Sequence, residues 1–179
     1  MGGVIDIARA APLALLFAPV LVALAAAQPS PPLLAPCASM PASGPIRVRY
    51  ALHDYEAPER LRRFVIFDRD QSCPPDPMPG HMLGYYAPQV CVPVPPAELA
   101  RLRAELDRFD VRSIRARTEG GVHRGGVAIE LEWSAGSRAS SCRIADITSE
   151  MRVVDADRER FRAAAEAVRS TIERALARP

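Results

Sequence analysis

Histidine and cysteine are the residue types of this chain that could hold a metal or attack a substrate. No two of its histidines have the i, i+2 or i, i+4 spacing of a zinc site; they are His53, His81 and His123. Residues 68–79 begin like a calcium loop, but Cys73 stands where that loop requires glycine. We therefore expect neither a metal nor a cofactor.

Covalent catalysis would need an activated serine or a free thiolate. The sequence has no G-x-S-x-G segment, and the glycine-rich residues 120–126 lack the G-K-[ST] ending of a phosphate-binding loop. Cysteines of an exported chain are oxidised to disulfides and do not act as nucleophiles. We therefore expect no catalytic residue and a non-enzymatic protein.

The four cysteines allow three disulfide pairings. We favour Cys73–Cys91 with Cys37–Cys142, because the proline-rich segment between Cys73 and Cys91 needs an anchor at both ends. Spacing does not decide connectivity, and Cys37–Cys73 with Cys91–Cys142 remains open.

The segment closed by Cys73 and Cys91 is the best candidate for binding. It contains the residues His81, Met82, Leu83, Tyr85 and Tyr86. Tyrosine and methionine are enriched at interfaces, and prolines with a disulfide lower the entropy lost on binding. The other interpretation is a loop that folds back and covers the protein's own surface with these side chains.

The amino terminus has the pattern of a secretory signal peptide, residues 1–27. Arg9 precedes the uncharged apolar residues 10–27, which end in Ala25-Ala26-Ala27. We expect cleavage before Gln28, a periplasmic or secreted protein, and no stable membrane span after signal removal. A retained anchor is the alternative, because the apolar run reaches the lower length limit of a transmembrane helix.

Composition argues against a nucleic-acid partner. All 23 basic residues are arginine, and the chain lacks asparagine as well as lysine. This bias is typical of a GC-rich, bacterial genome, so the arginines need not mark a binding surface. The formal net charge is only +2, and no run of like charges provides the electrostatic surface that nucleic acid requires.

Two segments alternate apolar and polar residues as half-buried strands do, residues 46–52 and 127–133. If these strands are neighbours, Arg47 and Arg49 share the solvent face with Glu130 and Glu132. Further strands are expected at 61–68, 111–118 and 141–147. Prolines disfavour regular structure in two segments. We interpret residues 28–45 as a flexible leader and residues 68–96 as one long excursion.

Two helices complete the expected domain, residues 46–179. The first begins at Pro95-Pro96. The second covers about 155–177, with Asp155 or Asp157 as its cap and an apolar stripe of Phe161, Ala165, Val168, Ile172 and Leu176. The expected fold is α+β, with a mostly antiparallel sheet of about five strands and both helices on one face.

These patterns together predict an exported, non-enzymatic bacterial domain that binds a protein or a cell-envelope component. A secreted inhibitor of a protease or another hydrolase, acting through the Cys73–Cys91 loop, is the first alternative. A small exported hydrolase is the second.

Overall fold

The computed structural model describes residues 31–53, 62–76, 88–118, 125–135, 138–147 and 151–178. The expected signal peptide, residues 1–27, lies outside the described residues, and so do the five expected binding residues His81, Met82, Leu83, Tyr85 and Tyr86. Within the described ranges, no helix is both long and apolar enough to cross a membrane.

The described chain forms seven strands and two α-helices, which confirms the α+β class. The strands are β1 (Ile46–His53), β2 (Arg62–Asp68), β3 (Gln89–Val94), β4 (Ala116–Thr118), β5 (Gly126–Ala135), β6 (Arg138–Ile147) and β7 (Met151–Val153). The helices are α1 (Pro96–Arg108) and α2 (Asp155–Leu176). A 3-10 turn, Val111–Ser113, replaces the first part of the strand expected at 111–118.

The strands form one mixed sheet in the order β3-β2-β1-β5-β6-β7-β4. The β2–β3 pair is parallel, and the other pairs are antiparallel. The sheet therefore has seven strands where about five were expected, and it contains one parallel pair among mostly antiparallel ones. The expectation missed β3 and β7.

β3 was missed because it lies inside the proline-rich excursion. Pro93 has no N–H to donate, which argues against a central strand. β3 is an edge strand, however, so it pairs only with β2 and one of its sides needs no donor. β7 was missed for another reason: three residues are too few to show alternation.

The core lies between the sheet and the two helices. Alternate residues of β1 and β5 point toward the helices, and Val48 and Leu131 among them are fully buried, whereas Leu52 near the end of β1 is exposed. The expected helix residues belong to this same cluster; they are Leu102 and Leu106 of α1 and Phe161, Val168 and Ile172 of α2. Leu176, expected on the stripe, is 55% exposed because it ends α2.

The described part of the proline-rich leader packs on the domain although its composition suggests flexibility. Cys37 and Met40 are buried. Cys37 is bonded to Cys142 of β6, and Leu34 exchanges two main-chain hydrogen bonds of 2.8 Å with Ala116. The disulfide and the edge pairing therefore hold a segment that has no helix or long strand of its own.

The amino terminus of α2 is held by an ion pair rather than by the expected cap. Val154 is the N-cap residue, and no side chain caps the helix. The carboxylate of Asp157 instead accepts hydrogen bonds from the main-chain N–H of Arg115, at 3.0 Å, and from its Nε, at 2.9 Å. These hydrogen bonds hold the pKa of Asp157 well below its usual range.

Candidate functional site

The two disulfides join Cys73 to Cys91 and Cys37 to Cys142. This is the pairing favoured from the sequence, and not the alternative that joins Cys37 to Cys73. Cys73 and Cys91 are exposed, whereas Cys37 and Cys142 are buried. The first disulfide therefore closes a surface loop, and the second lies in the core.

The loop begins by running back along the sheet surface that faces away from the helices. β2 ends at Asp68. The main-chain oxygen of Pro75 then accepts a hydrogen bond of 3.4 Å from Arg49 in β1. The carboxylate of Asp76 accepts two hydrogen bonds from Arg63 in β2, at 2.6 and 3.0 Å. By Asp76 the chain has returned to the level of the second residue of β2.

The loop ends at the same place. Gln89, the first residue of β3, stands opposite Arg63 in the parallel pairing. Its amide donates a hydrogen bond of 3.0 Å to the main-chain oxygen of Pro74. The residues that flank segment 77–87, on both sides, are therefore fixed near Arg63. Asp76 and Gln89 therefore lie at the same level of β2.

Two arginines of β1 link this loop base to the centre of the sheet. Arg47 donates to the side chain of Gln71 at 3.4 Å and forms an ion pair of 3.3 Å with Glu132 of β5. Arg49 donates to the side-chain oxygens of Gln89 and Glu132. Glu132 thus orients both guanidinium groups, and these groups hold both ends of the loop.

The expected adjacency of the two alternating strands is confirmed. β1 and β5 are antiparallel neighbours, with Arg47 opposite Glu132 and Arg49 opposite Glu130. Opposite charges across neighbouring strands contribute about 0.2–1 kcal/mol per pair. The four side chains lie on the face that the helices do not cover, as parity predicted.

Groups for other chemistry are sparse in the described parts of the chain. Among these residues, no group of three His, Cys, Asp or Glu side chains is placed to hold a metal ion, and no cysteine is free. His81 and His123 lie outside the described residues. The described site is therefore a scaffold of hydrogen bonds and ion pairs around a disulfide-closed loop.

Sequence reasoning found the disulfide but missed the side chains that hold the loop base. Arg63, Asp76 and Gln89 carry no local signal, because their contacts depend on the register of β3 against β2. Alternation did indicate that Arg47 and Arg49 share a face. It did not indicate that the loop crosses that face.

The sequence matches no protein-family model and no curated protein, and no solved structure matches the fold.

Proposed function

We propose that this protein is an exported, non-enzymatic binding domain, and that segment 77–87 contacts a protein or cell-envelope component. The observation that carries this proposal is the position of Asp76 and Gln89, which both lie at Arg63. The chain lies at Arg63 both before and after segment 77–87, so the pairing of β2 with β3 does not depend on that segment. A segment on which this pairing does not depend, presented from a fixed base, is suited to recognition.

The fixed base also favours binding on energetic grounds. Ordering a loop costs about 0.5–1.5 kcal/mol for each side chain immobilised at an interface. Here the disulfide and the hydrogen bonds from Arg49 and Arg63 have already fixed both ends of the loop. Fewer degrees of freedom are then lost when a partner binds. The exposed Cys73–Cys91 disulfide is compatible with the export that the first 27 residues predict.

The first test maps contacts by photo-crosslinking in the cells that export the protein. A photoreactive phenylalanine replaces Tyr85 or Tyr86, and in the control it replaces Glu159, which is exposed on α2. We expect the same discrete adduct from both loop positions and none from Glu159. An adduct of equal yield from Glu159, or no adduct from the loop, would contradict the proposal.

The second test separates binding from folding. Replacing residues 77–87 by a short glycine–serine turn should leave the unfolding midpoint nearly unchanged, because Asp76 and Gln89 already lie close together. Added wild-type protein should suppress the crosslinked adduct, and the shortened protein should not. If the shortened protein competes as well as wild type, the segment is not the binding element.

Export itself is tested by the mass of the protein recovered outside the cytoplasm. Cleavage before Gln28 should give a chain that begins at that residue. Recovery of a chain that still begins at Met1, in the membrane fraction, would contradict a cleaved signal peptide and favour a retained anchor.

An inhibitor of a protease or another hydrolase is the second candidate function. A loop whose two ends are fixed resists the distortion that cleavage requires, and the anchoring of Asp76 and Gln89 favours this property. A panel of proteases and glycan hydrolases tests it, with wild type compared with the shortened protein. Inhibition by wild type alone would support this function, and rapid cleavage within the loop would exclude it.

A further inference from the structure

A cleft lies on the helix-covered side of the sheet, away from the loop base. It is formed by the first half of α2 and by β1, β5 and β6, and its volume is about 330 Å³. Its apolar lining comes from Tyr50, Val127, Phe161 and Ala165. Clefts of this size and lining are at the lower end of the range that holds small organic molecules.

The two carboxylates of the cleft are already compensated by arginines. Asp146 lies 3.7 Å from the Nε atoms of both Arg152 and Arg158. Glu166 forms an ion pair of 2.8 Å with Arg169. Each carboxylate therefore has an arginine counter-ion, although the buried Oδ1 of Asp146 accepts no hydrogen bond from the described residues.

Arg162 is different, although it lines the same cleft. No ion pair or hydrogen bond joins its guanidinium to any residue within the described ranges, and the side chain is exposed. The cleft therefore carries one positive charge that has no counter-ion among the residues that the structure describes. A guanidinium pairs best with a planar carboxylate, because two parallel N–H groups meet its two oxygens.

Tyr50 adds a polar group to the apolar floor. Its side chain is almost completely buried, and this burial raises the pKa of the phenol above its usual value. The hydroxyl therefore stays protonated and can donate a hydrogen bond to an anion.

We propose that this cleft binds a small monocarboxylic acid with an apolar chain or ring. The carboxylate pairs with Arg162, and the apolar part lies against Val127, Phe161 and Ala165. An inorganic anion would leave the apolar lining unused, and an amine would meet an uncompensated positive charge. The cleft is separate from the loop base at Arg63 and does not depend on the function proposed for segment 77–87.

The test uses the full exported chain and two probes of nearly equal shape, 4-phenylbutyrate and 4-phenylbutan-1-ol. Titration calorimetry gives the affinities, and the methyl resonances of Val127 and Ala165 locate the bound probe. We expect saturable binding of the acid, with shifts of both methyl resonances. The alcohol should bind about tenfold more weakly or worse, because it lacks the charge-assisted hydrogen bonds.

Substitution of the arginine provides the matched comparison. Arg162→Gln should weaken the acid about tenfold and leave the alcohol unchanged. Arg112→Gln is the control, because Arg112 also has no ion pair or hydrogen bond within the described ranges but lies in the 3-10 turn, outside the cleft. Equal affinity for acid and alcohol, an unchanged acid affinity in Arg162→Gln, or no methyl shifts at saturating probe would each overturn the proposal.

Discussion

Removing the buried disulfide should destabilise the protein more than removing the exposed one. Cys37 and Cys142 are 105 residues apart, whereas Cys73 and Cys91 are 18 apart. In the chain-entropy model, a bridge closing about 100 residues contributes about 4.7 kcal/mol, and one closing about 15 contributes about 3 kcal/mol. Cys37 and Cys142 are also in the core, so replacing them by alanine removes packing as well. We therefore expect a difference of about 1.5 kcal/mol or more.

The assay compares Cys37→Ala/Cys142→Ala with Cys73→Ala/Cys91→Ala in urea. Trp133, the only tryptophan of the chain, is buried in the core, and its fluorescence reports unfolding. The free energies of unfolding follow from linear extrapolation. An equal loss in the two variants, or a larger loss without Cys73–Cys91, would refute the reasoning. Non-reducing peptide mapping of wild type should first recover both disulfides, and a peptide linking Cys73 to Cys142 would remove the premise.

Three further changes test the core, the close approach of β5 to β6 and the amino terminus of α2. Phe161→Ala should lower the unfolding free energy by roughly 3–5 kcal/mol, as for other truncated core aromatics; a loss below about 1 kcal/mol in urea would mean that α2 is peripheral. Gly126→Ala should lower the melting temperature, because a methyl group at its positive φ would collide with the main-chain oxygen of Asp146; an unchanged melting temperature would contradict this. Folding lowers the pKa of Asp157, so its ionised form stabilises the native state above about pH 4, and this stabilisation is lost as the pH falls further. The stability difference between wild type and Asp157→Asn should therefore shrink between pH 5 and pH 2 in urea titrations, and a constant difference would show that ionisation of Asp157 does not matter.

Those parts of the fold that follow from local patterns were predictable, and those that follow from register were not. Strict alternation in β1 and β5 revealed their buried faces, because each strand has the helices on one side only. β3 belongs to the same sheet but contains Pro93. The missing N–H of this proline argues against a strand unless that strand is known to lie at the sheet edge. A sequence does not state which strand ends the sheet.

The same limit applies to the candidate site. The pairing of Cys73 with Cys91 could be favoured because the segment between them is long and rich in proline, which predicts that it needs an anchor at both ends. The hydrogen bonds between Asp76 and Arg63 could not be predicted, because they depend on the path of the chain after Asp68. The hydrogen bond between Arg115 and Asp157 could not be predicted for a similar reason. Acidic residues near the start of a helix predict a cap, but the partner of Asp157 lies 42 positions away in the sequence.

Arg49 connects the loop base to a strand that is paired on both of its sides. β1 has β2 on one side and β5 on the other, so moving Arg49 would break main-chain hydrogen bonds on both sides of the strand. Its guanidinium meets Glu132 on one side, and Gln89 with Pro75 on the other. The base therefore takes its position from a central strand, although β3 is at the sheet edge. A partner that contacts segment 77–87 therefore binds a loop whose two ends are already held by the sheet. Binding of the partner does not need to order these ends.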